Sequence, residues 1–196
     1  MKDKFFEKKY IIFDFDGTLV QSELPWQDLK KSLISLGEDY HINLENVPLT
    51  EIIYTLHYTP AKQKVLNEIE SFEITHNNKF IMNQLTQNII KSLARDGYKL
   101  AIFSNNFKQT IQQVFSDYKM LSLFDIIIGR KEVKFYKPIP EGLIKIIDYW
   151  KCSRNDMVFI GDNELDKKAA TIVEIDYYSI NDFLNLFKED LNLTDE

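Results

Sequence analysis

A single cysteine, Cys152, stands in the 196-residue chain, which excludes an internal disulfide and a cysteine-rich zinc site. A reducing compartment is therefore expected, and with it a cytoplasmic setting. Long apolar runs are missing as well. None exceeds the four residues of Tyr10 to Phe13, Leu100 to Phe103 or Met157 to Ile160, against the roughly 20 that a bilayer span needs. No membrane-spanning helix is expected. Lysines precede apolar residues at the start, as in a signal peptide, but Asp14 and Asp16 interrupt the stretch and no small-residue cleavage site follows. An excess of positive charge is also absent: 24 basic against 30 acidic residues give 24 − 30 = −6. A chain that repels polyanions overall is a poor candidate for nucleic-acid binding. His41, His57 and His76 lack metal-ligand spacing and read as surface or packing residues, so no Ser-His-Asp hydrolase is indicated. No internal repeat or low-complexity tract is present.

What the chain has is apolar content, 44%, enough for one well-buried core. Short apolar runs alternate with helix-period segments, the pattern of a parallel sheet buried on both faces. Strands are predicted at Tyr10 to Phe15, Tyr98 to Phe103, Asp125 to Gly129, Met157 to Gly161 and Ile175 to Ile180. Helices are predicted at Phe107 to Lys119, with Ile111, Val114, Phe115 and Tyr118 on one stripe, and after Pro140, with Leu143, Ile144, Ile147 and Trp150 at helical spacing. A docked helix is expected around Phe183 to Phe187, with Leu184 and Leu191 on it and Asn181 capping it. The fold class is α/β, a Rossmann-like three-layer parallel sheet.

The interval between the first two strands is several times what one crossover helix needs. Its last part, Asn77 to Asp96, reads as the crossover helix, closed by Gly97. Residues 21–75 are left for a small inserted helical cap, with amphipathic pieces at Trp26 to Leu36 and Ala61 to Phe72 punctuated by Pro48 and Pro60. The domain expectation is a core of residues 1–20 and 76–196 with the cap at 21–75. Trp26, Tyr54 and Tyr58 could line a pocket, but aromatics in a small helical unit are usually its core.

Chemistry-bearing residues gather at the strand ends. Asp14-Phe15-Asp16-Gly17-Thr18 closes the first strand, and alternation turns Asp14 and Asp16 to one side, where open α/β sheets bind ligands. Two carboxylates at ~5 Å repel by roughly 3 kcal/mol at an effective dielectric of about 20. One must therefore bind a cation or take a proton, which suits an ionised nucleophile beside a proton donor. Ser104-Asn105-Asn106 leaves a hydroxyl and backbone N–H groups beyond the second strand, suited to phosphate oxygens. Lys137 lies beyond the third strand, where an ammonium can neutralise a phosphoryl group. Asp162 follows the fourth as a hard oxygen ligand for Mg²⁺, and Asn163 with Asp166 matches a helix-start capping arrangement. Singly, each has a plainer reading: a solvated acidic turn, a polar loop, a surface lysine, a cap.

Together and in this order they resemble the haloacid dehalogenase-like superfamily, whose motifs are an Asp-x-Asp-Gly-Thr strand end, a Ser or Thr strand end, a Lys and a Gly-Asp-x-x-x-Asp segment. Lys137-Pro138-Ile139-Pro140-Glu141 is similar to the Lys-Pro-x-Pro-Glu run of its phosphoglycolate phosphatase-like branch. The resemblance implies a Mg²⁺-dependent phosphatase acting on a small phosphorylated metabolite. Asp14 would be the nucleophile that forms an aspartyl-phosphate, and Asp16 the acid and base. Asp14, Asp162 and the backbone carbonyl of Asp16 would hold Mg²⁺. Ser104, Asn105 and Lys137 would bind the phosphoryl oxygens, Thr18 would brace the loop, and Asp166 would position Lys137 or a metal-bound water. Dehalogenation is disfavoured because Asp16 is present. A phosphomutase of the same superfamily and a noncatalytic binding protein are the alternatives, and a monomer is the default. The chain differs from the branch in Gln21 before Ser22, in Ile139, in a short cap, and in Val173-Glu174 where Ala-Gly is usual, so the turn into the last strand is expected to be built differently.

Overall fold

The computed structural model describes residues 2–188. A short helix α1 (Lys2–Phe6) leads into β1 (Tyr10–Phe13), and a two-residue strand β2 (Gln21–Ser22) follows. Three helices come next, α2 (Trp26–Glu38), α3 (Leu49–His57) and α4 (Lys62–Thr75), and then β3 (Phe80–Ile81). The chain continues through α5 (Gln84–Arg95), β4 (Lys99–Phe103), α6 (Lys108–Asp117), β5 (Ile126–Ile128), α7 (Glu141–Trp150), β6 (Met157–Gly161), α8 (Glu164–Ile172), β7 (Asp176–Ser179) and α9 (Ile180–Lys188).

The five longer strands form one parallel sheet in the order β5-β4-β1-β6-β7. β1 lies at its centre, with Phe13 level with Ile102 on one side and Ile160 on the other. Successive connections run one way from β1 and then the other, so the sheet reverses at β1 and opens a crevice at the carboxyl ends of its strands. Strand alternation sends Ile12, Ala101, Phe103 and Phe159 to one face, where they pack with Leu143 and Ile146 of α7 and Ala169 and Ala170 of α8. Phe13 points to the other face and meets Phe183 of α9 at 5.6 Å, which in turn lies 5.5 Å from Phe5 of α1. Burial on both faces explains why the strands read as unbroken apolar runs.

The chain divides into two compact units: the residues up to Ser22 together with those from Phe80 onward, and Glu23–Lys79. β2 and β3 pair antiparallel, Gln21 with Ile81 and Ser22 with Phe80, and both belong to the first unit. The second unit is three helices around Leu29, Leu33, Ile52, Leu56, Val65 and Ile69, with Trp26 stacked on Phe72 at 5.6 Å. Its middle helix, α3, falls between the two helical pieces anticipated and begins directly after Pro48.

Several boundaries differ from the sequence reading. α5 starts at Gln84 and not Asn77, because Asn83 caps it by accepting from the Thr86 amide at 2.8 Å and Phe80–Ile81 is committed to the ribbon. The start of α9 is served by Ser179, whose Oγ accepts from the Asp182 amide at 3.1 Å, and not by Asn181. Leu191 lies outside the described residues. Tyr54 of α3 and Tyr58 just after it are exposed instead of forming core, and they stack edge-on at 5.0 Å. Glu174 takes up a left-handed conformation, φ 56°, in the turn before β7. Glycine adopts that conformation freely, so here the strain falls on a side-chain-bearing residue. Among the described residues no helix is long and apolar enough to cross a membrane.

Candidate active site

Asp14 is the first residue beyond β1. Its amide donates to the Ile160 carbonyl at 2.8 Å, which continues the ladder by one step and fixes its backbone against β6. The chain then turns: the Leu19 and Val20 amides both return to the Phe15 carbonyl, at 2.9 and 3.1 Å. Gly17 sits in this turn at φ +79°, and a Cβ there would lie 2.4 Å from Asp162 Oδ2. Only glycine meets both demands, the left-handed backbone and the close approach of a carboxylate. Asp16 is turned to Ser22 on β2, whose Oγ donates to its Oδ2 at 2.6 Å. Thr18 is buried, and its Oγ1 has no hydrogen-bond partner.

Lys137 comes from the loop after β5 and is itself buried. Its Nζ lies 2.7 Å from Asp14 Oδ1 and 2.6 Å from Asp166 Oδ1. Below it are the rings of Phe103 and Phe159, with centroids 5.5 and 5.7 Å away. The buried Asp14 and Lys137 side chains thus form a close ion pair, and the same ammonium is shared with Asp166. Asp166 is fully buried, with both oxygens engaged: Oδ1 takes Lys137, and Oδ2 accepts from the Asp162 and Asn163 amides at 3.2 and 3.4 Å. Asn163 caps α8 reciprocally, accepting from the Leu165 and Asp166 amides. Capping and positioning of Lys137 are thus two tasks of one segment. Asp162 remains exposed, its Oδ1 accepting from Asn163 Nδ2 at 2.7 Å.

Ser104, beyond β4, is buried; its amide donates to the Ile128 carbonyl at 3.0 Å and its Oγ is 3.0 Å from Asn106 Oδ1. The Asn105 side chain accepts from the Lys137 amide at 3.1 Å, so it ties the Ser104 loop to the Lys137 loop. Glu141 Oε2 accepts the Lys134 and Phe135 amides at 2.8 and 3.0 Å, pinning the same loop from α7.

One oxygen from each of Asp14, Asp162 and Asp166 falls within a 4.8 Å cluster. With the one ammonium the group carries 1 − 3 = −2 when fully ionised. Burial raises the pKa of Asp14 above the ordinary carboxylate value; Lys137 opposes the rise and Asp166 adds to it. Burial likewise raises Asp16 and Asp162, each pushed further by the Asp14 charge, and it raises Asp166 against the pull of Lys137. Burial alone would lower Lys137, but Asp14 and Asp166 outweigh it and keep the ammonium charged. Hard oxygen donors gathered within 4.8 Å with surplus negative charge are what a divalent cation fits. Asp14 and Asp162 have lone pairs to offer; Asp166 has already spent both oxygens.

The three strand ends therefore bring Asp14, Lys137, Asp162 and Asp166 together. Ser22, Glu141 and the floor of Phe103 and Phe159 were not anticipated. Glu141 lay inside the quoted Lys-Pro-x-Pro-Glu run, but nothing in its spacing shows that it holds amides upstream of itself.

An α/β chain with a strand-end acidic cluster around a buried lysine defines a hydrolase class that the family comparison identifies. The haloacid dehalogenase-like hydrolase model matches residues 11–180, and the chain belongs to that family. It is 23% identical to the pyrophosphatase PpaX of Halalkalibacterium halodurans, over 92% of this chain and 89% of that one. It is 24% identical to PpaX of Bacillus cereus strain Q1, over 80% and 75% of the two chains. Among solved structures it resembles one named as a predicted phosphoglycolate phosphatase from Haemophilus somnus 129pt, with TM-score 0.66 and 20% identity over 94% and 98% of the two chains.

Proposed function

We propose that the protein is a Mg²⁺-dependent phosphatase that hydrolyses a small phosphomonoester through an aspartyl-phosphate on Asp14. The observation that carries this reading is the approach of Lys137 Nζ to 2.7 Å from Asp14 Oδ1, with the carboxylates of Asp162 and Asp166 completing the cluster. An anionic nucleophile attacking an anionic phosphoryl group needs positive charge beside it, and the sequence supplies one buried ammonium there. Mg²⁺, held by Asp14, Asp162 and the backbone carbonyl of Asp16, would supply the rest and polarise the phosphoryl oxygens.

The chain's own groups divide the work. An oxygen of Asp14 attacks phosphorus as the ester oxygen leaves, so one P–O bond forms and one breaks. Asp16, whose raised pKa keeps a proton within reach, donates it to the departing alcohol and later takes one from a water whose oxygen bonds to phosphorus as the Asp14–phosphorus bond breaks, freeing Asp14 and phosphate. The Ser22 hydroxyl, 2.6 Å away, holds the Asp16 carboxyl in place. Ser104 and Lys137 bind the non-bridging oxygens, and Asp166 keeps Lys137 aimed. Asn105 takes part by fixing the Lys137 backbone. The names of the pyrophosphatase and phosphoglycolate phosphatase relatives agree with a phosphorylated substrate.

Purified protein with added Mg²⁺ should hydrolyse p-nitrophenyl phosphate and stop when a chelator is added. Asp14→Asn should abolish turnover, and full activity in that variant would remove the nucleophile from the scheme. A beryllofluoride adduct on Asp14 would support the covalent step.

A further inference from the structure

Arg130 lies just beyond β5, at the same end of the sheet as Asp14, Ser104 and Lys137, in a short helical turn spanning Arg130–Glu132. It is only 9% exposed, and no carboxylate pairs with it among the described residues. Its Nε has no hydrogen-bond partner. A buried guanidinium without a counter-charge is costly, and an aliphatic side chain would fill the space without that cost. What compensates is a side-chain hydrogen bond with Tyr136 and two aromatic faces: the guanidinium carbon lies 4.7 Å from the Tyr136 ring centroid and 5.8 Å from that of Phe107.

The positions of those rings give the arrangement its meaning. Phe107 directly follows Ser104-Asn105-Asn106, and Tyr136 directly precedes Lys137. The Arg130 amide donates to the Asn106 carbonyl at 2.8 Å, which fastens Arg130 itself to the first of these loops. The same two loops are tied once more by the hydrogen bond from the Lys137 amide to Asn105. One flat cation therefore touches the end of one segment and the start of the other.

We infer that Arg130 is a positioning residue for phosphoryl binding, a cation between the rings of Phe107 and Tyr136 that sets the Ser104 loop and the Lys137 loop in register. The inference rests on the phosphatase reading above. It separates Arg130 from the chemistry: the residue touches no reacting atom and acts through Lys137 and Ser104.

The test uses the full chain with Mg²⁺, p-nitrophenyl phosphate as substrate and inorganic phosphate as competing inhibitor. Arg130→Met is expected to raise KM and the inhibition constant of phosphate together, by about tenfold, because misplaced loops weaken contacts that both ligands share. Arg130→Lys keeps a cation near the rings and should recover affinity to within about threefold of the original. Tyr136→Leu should reproduce the Arg130→Met effect, and the double variant should be no worse than the poorer single one, since both remove the same tie. The inference is overturned if Arg130→Met binds phosphate as the original chain does, if kcat falls with phosphate affinity unchanged, or if the two substitutions multiply. It is also overturned if neither Arg130→Met nor Arg130→Lys folds by circular dichroism, for the role is then structural. An original chain inert toward every phosphomonoester overturns the phosphatase reading and this inference with it. An active chain indifferent to Arg130→Met overturns this inference alone.

Discussion

Replacing Lys137 by methionine keeps the volume of the side chain and removes the one cation from a nest of buried acids. Its Nζ lies 2.7 Å from Asp14 and 2.6 Å from Asp166, with side-chain exposures of 3%, 6% and 0% for the three residues. At an effective dielectric of about 20 each contact amounts to about 6 kcal/mol of attraction. Most of that is offset by the desolvation of three ionic groups, and breaking a buried pair from one side costs about 3–5 kcal/mol net. The loss depends on pH, and its sign follows from burial. Asp14 and Asp166 already sit above the ordinary carboxylate value of 3.8 because burial penalises the charge. Lys137 is the influence that holds them down. Without it both rise further, so the folded variant takes up protons that the unfolded chain has released. A raised acid contributes stability that is complete below its unfolded value and is lost as pH rises through its folded value. The variant should therefore be close to the original chain near pH 4 and fall behind as pH rises toward 8, by up to about 1.4 kcal/mol per unit for each proton involved. Urea denaturation in chelator from pH 4 to 8, original and variant side by side, measures this directly. Added Mg²⁺ should restore more stability to the variant than to the original chain, because it supplies the missing positive charge. A deficit independent of pH, or a variant as stable as the original at pH 8, would refute the arrangement of charges described here.

Three further outcomes follow from single contacts. Gly17→Ala places a methyl group 2.4 Å from Asp162 Oδ2 on a backbone at φ +79°; it should cost about 1 kcal/mol of stability and, by shifting Asp162, about a hundredfold in kcat/KM, with a higher Mg²⁺ requirement in a metal titration. Ser22→Ala removes the hydroxyl that favours ionised Asp16, so the carboxyl pKa rises and the alkaline limb of the activity profile should move to higher pH; an unmoved limb would separate Asp16 from proton donation. Glu174→Gly relieves a left-handed conformation at φ 56° and gives up only a loose, exposed contact to Arg154 at 3.8 Å, so thermal unfolding should show a gain of about 0.5–1 kcal/mol.

The strands were legible because the sheet is buried on both faces and each strand becomes a short apolar run; Met157–Gly161 is found where it was expected. The helical unit Glu23–Lys79 showed in the sequence as an excess of length, but not its middle helix, since Leu49–His57 carries its apolar residues too briefly for periodicity to stand out. Asp14, Asp16, Ser104, Lys137 and Asp162 drew attention because they follow strands at the end of the sheet where open α/β sheets bind ligands, and the fold places them at that end. Sequence order alone gave Asp166 two tasks and could not choose between them. In the fold, Gly161 lies so close to the Asp166 carboxyl that a Cβ there would be 2.5 Å from Oδ2. One Asp166 oxygen meets backbone amides and the other Lys137. Residue type and spacing along the chain determined which chemical groups arrive at the rim. Which of them touch, and so which acid carries a cation and which is spent on hydrogen bonds, depended on distances across strands far apart in sequence, and only the folded chain sets those.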